Sequence, residues 1–139
     1  MKYGNLTIEK TEYVLLKRFI NLSGFQKDST VKKSILKLAE ELKHAIICDK
    51  NDMPKDVIRF NSIITIQTNT NWTKEFQLVL PTDSDIKSNK ISILTPMGAA
   101  VIGYAEGDTI LWDFPSGEQQ LKVSKVQQKE SQIDIDVLL

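Results

Sequence analysis

The residues of this 139-residue chain that could do chemistry are few and scattered. Asp28 stands between two apolar-periodic stretches, with Lys27 beside it and no other acid from Ser23 to Val31. A carboxylate there can cap the helix that follows, because its oxygen satisfies an orphan helical N–H. Asp83 and Asp85 lie in a polar loop from Pro81 to Asn89. Calcium loops need more oxygen ligands at set spacing and a glycine, so this pair is not read as a metal site. His44, the only histidine, sits between Lys43 and Ala45 and is expected at the solvent surface rather than on a metal. Cys48, the only cysteine, excludes an intramolecular disulfide, fits a reducing compartment and reads as a small buried apolar side chain. There is no P-loop and no glycine-rich dinucleotide fingerprint. No serine has a general base at a recognisable spacing. Nothing in these residues says enzyme, and no cofactor or metal is expected.

The elements that must position these groups begin with two helices. Leu15, Phe19 and Leu22 follow one another at spacings of four and three, which predicts an amphipathic helix over about Thr7 to Leu22, with Thr7 as its cap and Glu9 in its first turn. Val31, Ile35, Leu38, Leu42 and Ala45 form a heptad seam on a second helix, with lysines and glutamates off the seam. Two such helices joined by a short loop bury their seams against each other as an antiparallel hairpin, a short coiled coil. Laid flat on the following domain, the pair is a plain structural element; projecting, it is an arm. An 18-residue helix is about 27 Å long.

Asp49-Lys50-Asn51-Asp52 marks a boundary before Pro54. Ile63 to Gln67 and Glu75 to Leu80 read as strands around an Asn/Thr-rich turn. Ile91 to Leu94 is a short β-rich run, and Pro96 opens a small helix that Gly103 stops. Gly107-Asp108 is a turn. Thr109 to Phe114, with Ile110, Trp112 and Phe114 on one face, and Gln119 to Val126 are two strands of a hairpin around Pro115-Ser116-Gly117. Ile133, Ile135 and Val137 alternate in the tail, as in an added edge strand. The fold class is α+β, with a mainly antiparallel sheet and one short helix.

The run Ser-Ile-Leu-Thr-Pro-Met-Gly-Ala-Ala-Val-Ile-Gly from Ser92, then Glu106-Gly107-Asp108, then Pro115-Ser116-Gly117-Glu118, resembles the C-terminal domain of the bacterial transcript-cleavage (Gre) factors. Asp52-Met53-Pro54-Lys55-Asp56-Val57, with Asn61-Ser62 beyond, resembles more narrowly the short-armed regulator of nucleoside diphosphate kinase (Rnk) type. The resemblance implies a helical hairpin arm over residues 1–50 and an FKBP-like domain over residues 51–139, without prolyl isomerase activity. It implies RNA polymerase as partner, with Thr95, Pro96 and Met97 at the rim of the secondary channel; the structural alternative is that Pro96 opens the helix and Met97 plugs the core. It also implies a channel role for an acid at the arm tip. The family tip carries paired acids that help hold a catalytic magnesium ion, whereas this loop offers Asp28 alone. The expectation is a non-enzymatic transcription regulator that competes with Gre-type factors. An active transcript-cleavage factor is the alternative, and a protein-binding module unrelated to polymerase a more remote one.

Composition bounds these readings. Apolar content of 41% and charged content of 26% are those of an ordinary globular domain, with room for one core or a small domain plus an arm. No apolar run approaches membrane-spanning length, and Met1 to Leu6 has no signal-peptide character, so a cytoplasmic protein without a membrane partner is expected. Residues 1–50 carry 10 Lys and Arg against 6 Asp and Glu, and the remainder 8 against 12, so a +4 segment precedes a −4 segment. That asymmetry is too weak to define a nucleic-acid surface, and no sequence-specific nucleic-acid binding is expected.

Overall fold

The computed structural model describes residues 1–22, 29–70, 72–114 and 117–129, with the backbone alone at 29–31, 112–114 and 117. The chain starts with a short strand, β1 (Thr7–Glu9), and continues directly into α1 (Lys10–Leu22). α2 (Ser29–Leu42) leads back to β2 (Ile46–Cys48), which pairs parallel to β1 in the register Thr7↔Ile46 and Glu9↔Cys48. The helix expected from Thr7 therefore begins at Lys10. Leu6, Thr7 and Ile8 are all buried, and their backbone is committed to β2 and to Gly103. The cap is Glu9 and not Thr7: its Oε2 accepts from the N–H groups of Thr11 and Glu12, each at 3.0 Å. Burial pushes the Glu9 carboxyl up, but the Thr11 hydroxyl and these two N–H groups together outweigh it and hold the pKa below its ordinary value.

On the predicted face of α2, Ile35, Leu38 and Leu42 are buried and Ala45 is half-buried, while the side chain of Val31 lies outside the described residues. Ile35 and Leu38 lie three apart and Leu38 and Leu42 four apart, so they stack on one side of a 3.6-residue helix.

Among the described residues the main sheet has five strands in the order β5-β4-β3-β7-β6. These are β3 (Ile63–Thr68), β4 (Thr73–Val79), β5 (Lys90–Ser92), β6 (Thr109–Phe114) and β7 (Gly117–Gln127). All pairs are antiparallel except β4 with β5, as a mainly antiparallel α+β reading requires. β5 stops at Ser92 instead of Leu94 because its partner β4 ends at Val79, opposite Ser92. A bulge between Thr65 and Ile66 shifts the β3–β7 register, and the Ser124 hydroxyl donates to the Thr65 carbonyl there at 3.1 Å. Ile64, Ile66, Phe76, Leu78, Leu121 and Val123 alternate onto one face. Against that face lies the third helix, α3 (Pro96–Val101), with Ala99 and Val101 buried. Ile110 of β6 is buried as expected, while the side chains of Trp112 and Phe114, and the alternating tail over 130–139, lie outside the described residues.

One hydrophobic cluster includes Leu15, Leu16, Leu38 and Leu42 from the helix pair and Ile58, Ile64, Phe76 and Ile102 from the rest. The composition shift near residue 50 is thus not a break in packing.

Candidate functional site

The link from β5 to α3 is a tightly bonded ledge. The Ser92 Oγ accepts from the Leu94 N–H at 3.0 Å, and the Ser92 carbonyl accepts from the Thr95 N–H at 3.1 Å and the Thr95 hydroxyl at 2.7 Å. The Thr95 Oγ1 in turn accepts from the Gly98 N–H at 3.1 Å, an N-cap on α3 with Pro96 in the first helical position. A Cβ on Gly98 would stand 2.1 Å from the Ser92 carbonyl oxygen, so only glycine lets α3 approach β5 this closely. Gly103, at φ +84°, then turns the chain out of the helix region with its own carbonyl accepting from the Thr7 N–H.

Thr95, Pro96 and Met97 are therefore brought together, each half-buried, on a short rigid step. Met97 packs part of its side chain against the core. Thr95 spends its hydroxyl twice on backbone, donating to the Ser92 carbonyl and accepting from the Gly98 N–H. Asp28 lies outside the described residues. His44 is exposed, as expected. Cys48 is half-buried, not buried, because it ends β2, whose Ile46 and Ile47 are themselves exposed.

Several residues invisible to motif reading attach the helix pair to the sheet. Glu12 of α1 is buried and its Oε1 accepts from the Arg59 Nε at 2.6 Å. Burial pushes the Glu12 carboxyl above its ordinary pKa, against the opposing pull of the Arg59 charge and of a backbone hydrogen bond at Phe60. On α2, Glu41 accepts from the Tyr104 hydroxyl at 2.9 Å. Burial first, and then the Glu41 charge, push the Tyr104 phenol far above its ordinary range, so it remains a donor. The partners are 47 and 63 residues apart in the chain, so no local pattern announces them.

Asp108 of the Glu-Gly-Asp turn is buried and structural. Its Oδ2 accepts from the Ala105 N–H at 2.8 Å and its Oδ1 from the Lys2 N–H at 2.6 Å. Asp56 takes the Lys2 ammonium and, at 2.8 Å, the Tyr3 hydroxyl, so the first residues are tied to the sheet domain by two acids. Among the described residues no three His, Cys, Asp or Glu side chains gather as a metal site, and no helix is long and apolar enough to cross a membrane.

The small helix capped against the end of a parallel edge strand, the Glu-Gly-Asp turn with its Asp108 buried and the β6–β7 hairpin are the parts whose sequence resembles a Gre-type C-terminal domain. Residues 53–128 match the family model for the C-terminal part of transcription elongation factor GreA/GreB, and the chain belongs to this family. It is 32% identical over 127 residues to transcription elongation factor GreA of Clostridium botulinum strain Hall, covering 91% of this chain and 74% of that one. It is 33% identical over 103 residues to GreA of Xanthomonas axonopodis pv. citri, covering 73% of this chain but only 65% of the relative, just under two thirds of its length. A solved structure of a prokaryotic transcription elongation factor GreA/GreB from Nitrosomonas europaea superimposes with a TM-score of 0.71 at 26% identity, covering 90% of this chain and 99% of that one.

Proposed function

We propose that this protein is a non-enzymatic transcription regulator that binds RNA polymerase at the rim of the secondary channel and competes there with Gre-type factors. The observation that carries this reading is the family match over residues 53–128, which contains the whole ledge from Ser92 to Gly98. In this reading Thr95, Pro96 and Met97 make the contact. Residues 1–50 act as a short coiled-coil arm on an FKBP-like domain, and the chain is closest in type to the short-armed Rnk regulators. Cytoplasmic placement follows from the same role.

The arm argues for regulation over transcript cleavage. α1 and α2 have 13 and 14 residues, about 20 Å of helix each at 1.5 Å per residue. Between Ser23 and Val31 the sequence holds one acid, Asp28, with Lys27 beside it. Holding a second hydrolytic magnesium ion calls for more anionic oxygen than one carboxylate supplies next to a cation.

Two outcomes test the proposal. The purified protein should displace a fluorescently labelled Gre factor from core RNA polymerase at moderate salt; no displacement at large excess would refute polymerase docking. Backtracked elongation complexes given this protein and magnesium should show no RNA cleavage above the intrinsic rate of the polymerase. Short 3′ fragments that appear with the native chain and vanish with Asp28→Asn would establish the cleavage-factor reading instead.

A further inference from the structure

We infer that the joint between the helix pair and the sheet domain contains a binding site for one structural water molecule, held by the Thr7 hydroxyl beside the Glu12–Arg59 ion pair. Thr7 is 3% exposed, and its Oγ1 is a buried polar atom that finds no hydrogen-bond partner in the protein. Its neighbours in the strand show why: the Thr7 N–H goes to the Gly103 carbonyl and the β1 backbone pairs with β2, so the main chain there leaves the hydroxyl nothing. A buried hydroxyl without a partner costs free energy, and proteins satisfy such groups with internal water where space permits.

Space is present at this point. Thr7 borders a recess of about 10 Å³, open to the centre of a water-sized sphere, whose walls include Glu9, Glu12, Met53 and Arg59. That is room for about one water molecule and no more. Charge selects the occupant as well as size does. Glu12 and Arg59, which both line this recess, form a direct ion pair at 2.6 Å. The guanidinium disfavours a cation and the two carboxylates disfavour an anion. A neutral molecule that both donates and accepts suits all three polar walls: it can accept from Thr7 or Arg59 and donate to a carboxylate oxygen or to Thr7. The site lies where β1, α1 and the Ile58–Arg59 segment meet, so the water completes the polar seam between the helix pair and the sheet.

The test turns on a sign. Thr7→Val keeps the shape of the side chain, removes the hydroxyl and favours a strand, so if the hydroxyl were a true orphan the variant would be more stable than the native protein. With the water in place, the variant loses a bridged hydrogen bond and its melting temperature falls by about 3 °C, while Thr7→Ser, which keeps the hydroxyl, retains more of that bridge. An unchanged or higher melting temperature in Thr7→Val overturns the inference. Water–protein NOE spectra of the native, isotope-labelled chain give an independent reading that needs no variant to fold. Cross-peaks of long-residence sign between water and the Thr7 side chain support the site, and their absence overturns it.

Discussion

Arg59→Met will lower the unfolding free energy by about 3–5 kcal/mol at neutral pH, the usual cost of stranding one member of a buried ion pair. The stranded group is Glu12, whose side chain is 5% exposed. Its carboxyl is already pushed above 4.5 by burial, with the Arg59 charge as the main opposing influence. Removing Arg59 raises it further. A carboxyl whose pKa is higher in the folded than in the unfolded state binds its proton more tightly when folded. Its contribution to stability is therefore fully present below the unfolded pKa and is lost as pH rises through the folded one. The deficit of Arg59→Met should accordingly shrink as the pH is lowered from 7 toward 5, as read by urea denaturation at each pH. A deficit independent of pH would mean that Arg59 acts through packing and not through charge. The double variant Glu12→Leu/Arg59→Met should recover most of the loss, because an apolar pair in the same volume leaves no charge buried.

Gly98→Ala should be about as damaging, for a steric reason. The added methyl would lie 2.1 Å from the Ser92 carbonyl oxygen and 2.9 Å from both the Ser92 carbonyl carbon and the Ile93 Cα. These are backbone atoms, so no side-chain rotation can relieve the contact. α3 must move away from β5, and in doing so it strains the bond from the Thr95 hydroxyl to the Ser92 carbonyl that ties the start of the helix to the strand. A loss of about 3 kcal/mol, the upper end for an overpacked site, is expected in chemical denaturation. A change in midpoint within experimental error would show that α3 does not sit this close to β5. This effect is distinct from docking: Gly98 is buried, and its role is to let the half-exposed Thr95–Met97 step exist.

What could be read from the chain was local. Ile35, Leu38 and Leu42 announce the buried face of α2 because helical periodicity needs no knowledge of the partner. Pro96 and Gly103 bracket α3, because turn chemistry is carried by single residues. The readings that shifted depended on remote partners. Thr7 to Glu9 look like a helix start until Ile46 to Cys48 arrive beside them, nearly 40 residues later. Ile93 and Leu94 look like strand residues, yet the register with β4 ends at Val79, whose carbonyl accepts from the Ile93 N–H, and the Leu94 N–H turns to the Ser92 hydroxyl. Cys48 looks buried on type alone, yet its place at the end of a short exposed strand leaves it half open. At the candidate site the opening of α3 at Pro96 was legible, whereas the Thr95 cap and the close approach at Gly98 came only with the structure, since the approach depends on where β5 lies. The Glu12–Arg59 and Tyr104–Glu41 attachments were not, since each joins residues that no spacing rule connects.

The parallel pairing of β1 with β2 bears on how the helix pair can change in length. The chain leaves the body of the protein at Thr7–Glu9 and returns at Ile46–Cys48, side by side, at the roughly 4.8 Å spacing of neighbouring strands. Everything between is a loop closed at its root, and its innermost anchors, Leu15, Leu16, Leu38 and Leu42, sit in the shared core. Matched whole turns added to or removed from both helices beyond those anchors leave the root, the ledge and the sheet where they are. The length of the helix pair is in this sense an interchangeable part: a longer or shorter pair can be spliced onto the same socket without refitting the socket.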